Sequence, residues 1–138
     1  MSLRFLLDAN VLSEPTRKRP DAKVLEKLAR FQSVMATASI VWNEMLAGAG
    51  ELPASRKKEL LQDYISGIPG AFPILPYDRA AAEWHAVELV RLKGLGRPAP
   101  FADGQIAAIA KVNSLALVTN NERDFRHFKD LEVVNWHK

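Results

Sequence analysis

The stretch LRFLLDANVLS, residues 3–13, decides how the rest of the chain reads. Leu3, Phe5, Leu6 and Leu7 form an apolar run that stops at Asp8, and Ala9, Asn10, Val11 and Leu12 follow. A near-continuous apolar run marks a strand buried on both faces, as in parallel sheets. Asp8 then falls at the carboxyl end of that strand, where open α/β sheets gather their ligands. A carboxylate in such a place is costly unless a hydrogen-bond donor or a cation meets it. Two readings satisfy the demand: Asp8 caps a helical turn beginning near Asn10, or it is one corner of a metal site.

Outward from this strand, β-prone apolar segments alternate with helical ones. Asp21 caps a helix over residues 21–31 with Val24, Leu25 and Leu28 on one face, and a second strand covers 34–37. Ser39 reads as the cap of a helix over 40–49, ended by Gly48 and Gly50. Pro53 and Ser55 open a helix over 56–66, which Gly67, Pro69 and Gly70 stop. A third strand at 72–75 contains Pro73 and suits a sheet edge. Asp78 caps a helix over 79–93, packed through Ala82, Trp84, Val87, Leu89 and Val90, and a rigid basic loop spans 94–100. A tightly packed helix over 101–112, a buried strand at 115–119, a polar turn with a short helix at 120–129 and a last strand at 132–136 complete the chain. The alternation implies an α/β fold with a parallel sheet covered on both faces, in a single domain over residues 1–138.

Composition narrows the function classes. Of the 138 residues, 48% are hydrophobic, enough to exclude a disordered chain. The absence of cysteine excludes thiolate zinc sites, cysteine nucleophiles and disulfides, and fits a reducing cytoplasm. No apolar run approaches the roughly 18 residues of a membrane span, and the N-terminus lacks a signal-peptide pattern, so a cytoplasmic protein with no membrane partner is expected. A net charge of +3 permits polyanion binding without demanding it. Basic residues cluster at 17–19, 56–58, 91–97 and 123–129, and all but the second cluster flank segments that hold candidate acids.

Those acids are Asp8, Glu44, Asp103 and Asp124. Glu44 shares a helix face with Ile40, Val41 and Ala47, which points it inward, although a lone glutamate there is more commonly salt-bridged or half-exposed. Asp103 opens a helix, where a carboxylate complements the macrodipole; Ile106 and Ala110 share its face, and Gly104 beside it admits close approach of backbone or ligand. Asp124 follows the fourth strand and either caps a turn toward Phe125 and Phe128 or joins the others. Strand ends and helix starts of a parallel α/β sheet share one edge, so the four are expected to converge. Carboxylates about 4 Å apart repel by roughly 4 kcal/mol per pair at an effective dielectric of 20. Such a cluster must bind cations or protons, and oxygen donors without histidine or cysteine select Mg²⁺, with Mn²⁺ as substitute. Asn10, Thr119 and Asn120 add neutral polar groups at the same edge. Histidines 85, 127 and 137 show no ligand spacing and read as surface or turn residues. The Gly94-Leu95-Gly96 segment is not a dinucleotide fingerprint, since it follows a helix and lacks the third glycine.

Four segments carry a resemblance: LLDANVLSE at 6–14, SIVWNEMLAG at 39–48, PAPFADGQIAAIA at 98–110 and LVTNNERDF at 117–125. In order and spacing, and over essentially the whole chain, they closely resemble the PIN-domain ribonucleases, specifically the VapC and FitB-like toxins of prokaryotic toxin-antitoxin pairs. The resemblance implies a three-layer α/β/α sandwich around a mostly parallel sheet. It implies a Mg²⁺-dependent endoribonuclease that hydrolyses RNA phosphodiester bonds with a metal-activated water. It also implies a cognate antitoxin occupying the site, a homodimer, and contact with operator DNA only through that antitoxin. Asp8, Glu44 and Asp103 match the three central acids of the family, Asp124 its more variable fourth, Thr119 its active-site hydroxyl and Asn10 the polar residue two after the first acid. Arg91, Lys93, Arg97 and Arg123 are the candidates for holding the RNA backbone. A haloacid-dehalogenase phosphatase needs a second aspartate where Asn10 stands, and a response-regulator receiver needs an acidic pair that is absent. The other class left open is a PIN-fold module that binds nucleic acid or protein in an antitoxin-repressor complex without significant cleavage; such a module would bind RNA equally well in EDTA.

Overall fold

Apolar β-prone runs separated by amphipathic segments force each strand to return in the same direction after a helical crossover. In the computed structural model, which describes residues 2–138, five strands do so: β1 (Phe5–Leu7), β2 (Met35–Ala38), β3 (Ile74–Leu75), β4 (Ala116–Val118) and β5 (Val133–Val134). They pair in the order β3-β2-β1-β4-β5, and every pair is parallel. From β1 the chain winds outward through β2 to β3, then returns across the sheet to β4 and β5. The direction of winding reverses between β1 and β4, so the loops leaving these two strands part and open a crevice at the carboxyl edge. Register makes the two strand ends level, with Leu7 opposite both Thr37 and Val118. Asp8 and Thr119, the next residues along, consequently lie side by side.

The helices are α1 (Ala9–Leu12), α2 (Ala22–Arg30), α3 (Ser39–Gly50), α4 (Arg56–Ser66), α5 (Ile68–Ala71), α6 (Arg79–Gly94), α7 (Phe101–Val112) and α8 (Glu122–Phe125). Polar caps start several of them: Asp21 accepts from the Lys23 and Val24 amides, Ser55 from Lys58 and Asp78 from Ala81. Helices flank the sheet, and Leu6, Leu7, Val11, Val41, Ile109 and Leu117 are wholly buried between the layers. Among the described residues no helix is long and apolar enough to cross a membrane.

Several local expectations are corrected. Ser39 is the first residue of α3 rather than its cap; Ala38 precedes it and no side chain caps the helix. Gly67 does not release the chain into a loop, because its backbone stays in the right-handed helical region and leads directly into α5. The larger correction concerns α6. Val87 and Val90 are 67% and 75% exposed, while Ala81, His85, Glu88 and Leu92 are buried. Hydrophobicity alone misplaces this face because its polar members bring partners with them. Arg91 donates to both oxygens of Glu88, at 2.7 and 2.8 Å, and the Lys129 amide donates to Glu88 at 2.7 Å. His85, expected at the surface, is 1% exposed, with Nδ1 2.8 Å from the Tyr77 hydroxyl.

Close approach at Gly104 proves real, and the neighbour is His85 rather than a ligand. A Cβ on Gly104 would lie 2.1 Å from His85 Nε2. The backbone of α7 thereby sits against α6 at the turn that carries Asp103. Gly104→Ala is expected to lower stability by roughly 1–3 kcal/mol through overpacking, read as a shift in urea midpoint. Adding His85→Ala should recover part of that loss, and a strictly additive double variant would contradict the contact.

Candidate functional site

Asp8 is the most constrained carboxylate at the crevice. It is only 6% exposed, and both oxygens are engaged. Oδ1 accepts from the Ala9 amide at 2.8 Å, making Asp8 the cap of α1, while Oδ2 accepts from the Thr119 hydroxyl at 2.8 Å and from Asn10 Nδ2 at 3.2 Å. The two readings of Asp8 are therefore compatible: it caps a short helix and faces the crevice. Thr119, fully buried, also accepts from the Asn121 amide at 3.0 Å. Asn10 closes the ring. Its Oδ1 accepts from the Asn120 amide at 2.9 Å, which leaves Nδ2 to point at Asp8 and at Thr119 Oγ1, 3.3 Å away. Three residues from two strand ends thus fix one another through directional bonds.

The remaining acids come from other elements. Glu44 lies in the second turn of α3 and is exposed, in contrast to the inward orientation expected from its apolar neighbours. The apolar face of α3 is instead carried by Val41, Met45 and Ala49. Asp103 lies in the first turn of α7, whose cap position is Pro100, so it caps nothing by a side-chain bond. Asp124 is exposed in the first turn of α8, where Asn121 occupies the cap position. Among the described residues none of these four carboxylates forms an ion pair.

Electrostatics record their proximity. Burial pushes the Asp103 carboxyl up from 3.8 to about 6, with the negative charges of Asp124 and Asp8 adding to the effect. Glu44, although exposed, is raised as well, by partial desolvation where α3 meets the crevice and by the charges of Asp8 and Asp103. Asp8 and Asp103 act on Glu44, Asp8 and Asp124 act on Asp103, and among the described residues no ion pair relieves them. Among the described residues, however, no three acidic or histidine side chains stand close enough to cage an ion unaided. Mg²⁺ does not need such a cage, since it dehydrates reluctantly and is held by one or two carboxylates together with water and substrate phosphate. A groove of about 240 Å³ opens beside Glu44, lined by Ala9, Ser13, Met45 and Leu61, and a larger one of about 530 Å³ runs between Pro15 and α4.

The candidate RNA contacts divide. Lys93, Arg97 and Arg123 are exposed, whereas Arg91 is tied to Glu88 and donates to the His127 carbonyl at 2.8 Å. Arg91 therefore serves α6 and its neighbour rather than presenting a free guanidinium.

Comparison with known proteins agrees with this geometry. The PIN domain family matches residues 5–131. Toxin FitB of Neisseria gonorrhoeae is 34% identical over 138 residues, covering 96% of this chain and 99% of that protein. The chain belongs to the PIN-domain family, in its VapC/FitB group of ribonuclease toxins. The tRNA(fMet)-specific endonuclease VapC of Shigella flexneri is 31% identical over 134 residues, with 97% and 98% coverage. Among solved PIN-domain structures, the DNA-bound VapBC of Salmonella typhimurium superposes with a TM-score of 0.86 at 28% identity, covering 97% of this chain and 98% of that one. The fold is thus the PIN-type α/β arrangement, here with a wholly parallel sheet among the described residues.

The raised Asp103 carboxyl gives a pH signature. Its folded state holds a proton that the unfolded chain releases nearer 3.8, so its contribution favours folding at low pH and is lost as pH rises toward about 6. In metal-free protein, the stability difference between wild type and Asp103→Asn should shift against wild type across that window, as read from urea midpoints. A difference independent of pH would contradict the crowding of these acids.

Proposed function

We propose that this toxin is a Mg²⁺-dependent endoribonuclease in which Asp8, Glu44, Asp103 and Asp124 hold the ion, Mn²⁺ being able to substitute. The observation that carries the reading is four carboxylates gathered at the switch point of a parallel sheet with no cationic side chain among them to neutralise them. When bound, a divalent ion would supply Lewis-acid activation of water and screen charge developing on the scissile phosphate. The protein's own contribution is orientation. The Ala9 amide and the Thr119 hydroxyl each hold one oxygen of Asp8, so its carboxylate cannot rotate away. Asn10 holds the β1 and β4 ends at fixed separation through the Asn120 amide. Asp103 and Glu44 lose their elevated affinity for protons once a cation arrives, which couples ion binding to deprotonation. No side-chain nucleophile is required: attack by water on phosphorus, with the P–O3′ bond breaking and the 3′-oxygen leaving as the hydroxyl, would give 5′-phosphate and 3′-hydroxyl ends.

The tRNA(fMet) specificity of the Shigella flexneri relative makes tRNA the first substrate class to test. The DNA-bound VapBC complex of Salmonella typhimurium supports a cognate antitoxin as partner, with operator DNA reached through it. A cytoplasmic homodimer completes the reading. The grooves beside Glu44 and α4 offer an antitoxin segment an apolar seat that runs up to the acids.

Purified protein is expected to cleave RNA with Mg²⁺ and to stop in EDTA. Asp8→Asn should reduce cleavage by about a thousandfold or more, the rate equivalent of several kcal/mol of lost charge stabilisation, with an unchanged circular-dichroism spectrum. Full activity of that variant, or 2′,3′-cyclic phosphate ends, would contradict the mechanism. Undiminished RNA binding in EDTA with no cleavage under any divalent ion would favour a binding module instead.

A further inference from the structure

Close in sequence to two of the acids is a second charged feature, of opposite sign. The loop that leads into α7, and so toward Asp103, carries Arg97; the residues directly after α8, and so after Asp124, are Arg126 and His127. These three side chains converge. Arg97 Nη1 lies 2.8 Å from Nε2 and 3.2 Å from Nδ1 of His127, and Arg126 Nε lies 3.4 Å from the same Nε2. A neutral imidazole has one acceptor nitrogen, whereas each guanidinium has five N–H donors. Donors therefore far exceed the acceptor that gathers them. Among the described residues neither Arg97 nor Arg126 has a carboxylate partner, and all three side chains are exposed.

This clustering is built rather than incidental. Arg91 donates to the His127 carbonyl while its other donors grip Glu88, and Glu88 also receives the Lys129 amide. The 127–129 segment is consequently pinned to α6 from the inside, and His127 is presented outward between two arginines. Two exposed arginines on helices, Arg56 and Arg79, instead each pair with a glutamate on their own helix.

We propose that Arg97, Arg126 and His127 form an oxyanion site that binds an RNA backbone phosphate next to the one cleaved. The inference rests on the ribonuclease reading above and specifies where its substrate is gripped. Two guanidiniums meeting at one point match the oxygens of a phosphodiester, which supply the acceptors that the imidazole cannot. Partial desolvation and the charges of Arg97, Arg126 and Arg91 hold His127 below its ordinary 6.5, so an anion seated here raises its proton affinity. Of the four basic residues expected from sequence to hold RNA, Arg97 belongs to this site and Arg91 acts as its internal support.

The test is binding of a single-stranded RNA oligonucleotide in EDTA, where metal-dependent cleavage is silent, across a range of salt. Replacing Arg97 and Arg126 by Gln should flatten the slope of log K against log[salt] by about 1.4, or 0.7 per lost arginine contact. The control Arg56→Gln/Arg79→Gln removes the same formal charge and should leave the slope unchanged. In parallel, inorganic phosphate should raise the His127 titration midpoint followed by NMR in wild type and not in the double variant. An unchanged slope in Arg97→Gln/Arg126→Gln, or an equal loss in the control, would overturn the site. Unchanged RNA binding with lost antitoxin binding would assign the patch to the antitoxin and overturn it as well. A wild type that neither binds nor cleaves RNA would remove the ribonuclease reading and this site with it, an outcome distinct from RNA binding that ignores the two arginines.

Discussion

A hydrogen bond of 2.8 Å from the Thr119 hydroxyl to Asp8 spans the gap where the winding of the sheet reverses. It joins the two strands whose following loops diverge, and parallel register brings its partners level without any adjustment of the backbone. A carboxyl group at 6% exposure is tolerable because three donors meet it. Once Asp8 is fixed in this way, the other acids need only approach the same edge from the starts of α3, α7 and α8. Their mutual repulsion, visible in the raised affinity of Asp103 and Glu44 for protons, is the local cost of keeping a site receptive to a cation.

A second layer sets where α7 stands. Gly104 lets the helix backbone close against His85, and His85 is in turn held by Tyr77. One turn further along the same face of α6, Glu88 and Arg91 bind the segment that follows α8. One helix thereby positions both the turn bearing Asp103 and the chain leaving Asp124. Buried polar groups on α6 are satisfied completely enough to act as rigid connectors, apart from His85 Nε2, which is left without a partner against Gly104.

The strand and helix pattern was legible in the sequence because apolar runs and polar caps are local signals: Asp21, Ser55 and Asp78 cap the helices their positions suggest. The convergence of Asp8 with Thr119 and Asn10 followed from strand ends sharing an edge. What escaped was set by partners distant in sequence. The buried face of α6 depends on Arg91, Tyr77 and the Lys129 amide, so hydropathy favoured Val87 and Val90 and missed His85 and Glu88. The exposure of Glu44 is similarly a matter of packing, since Val41, Met45 and Ala49 already occupy the inward face of α3. The meeting of Arg97 with His127 joins residues 30 apart in sequence that no motif links.

The central claim is that these carboxylates form a divalent-cation site whose protons leave as the ion enters. Calorimetric titration of the purified protein with Mn²⁺, repeated in buffers of different ionisation enthalpy, measures both binding and proton release. The account predicts release of a fraction of a proton per ion near pH 6, almost none near pH 8, and loss of binding in Asp8→Asn. Absence of ion binding by the wild type, or binding indifferent to Asp8→Asn and free of proton release near pH 6, would contradict it.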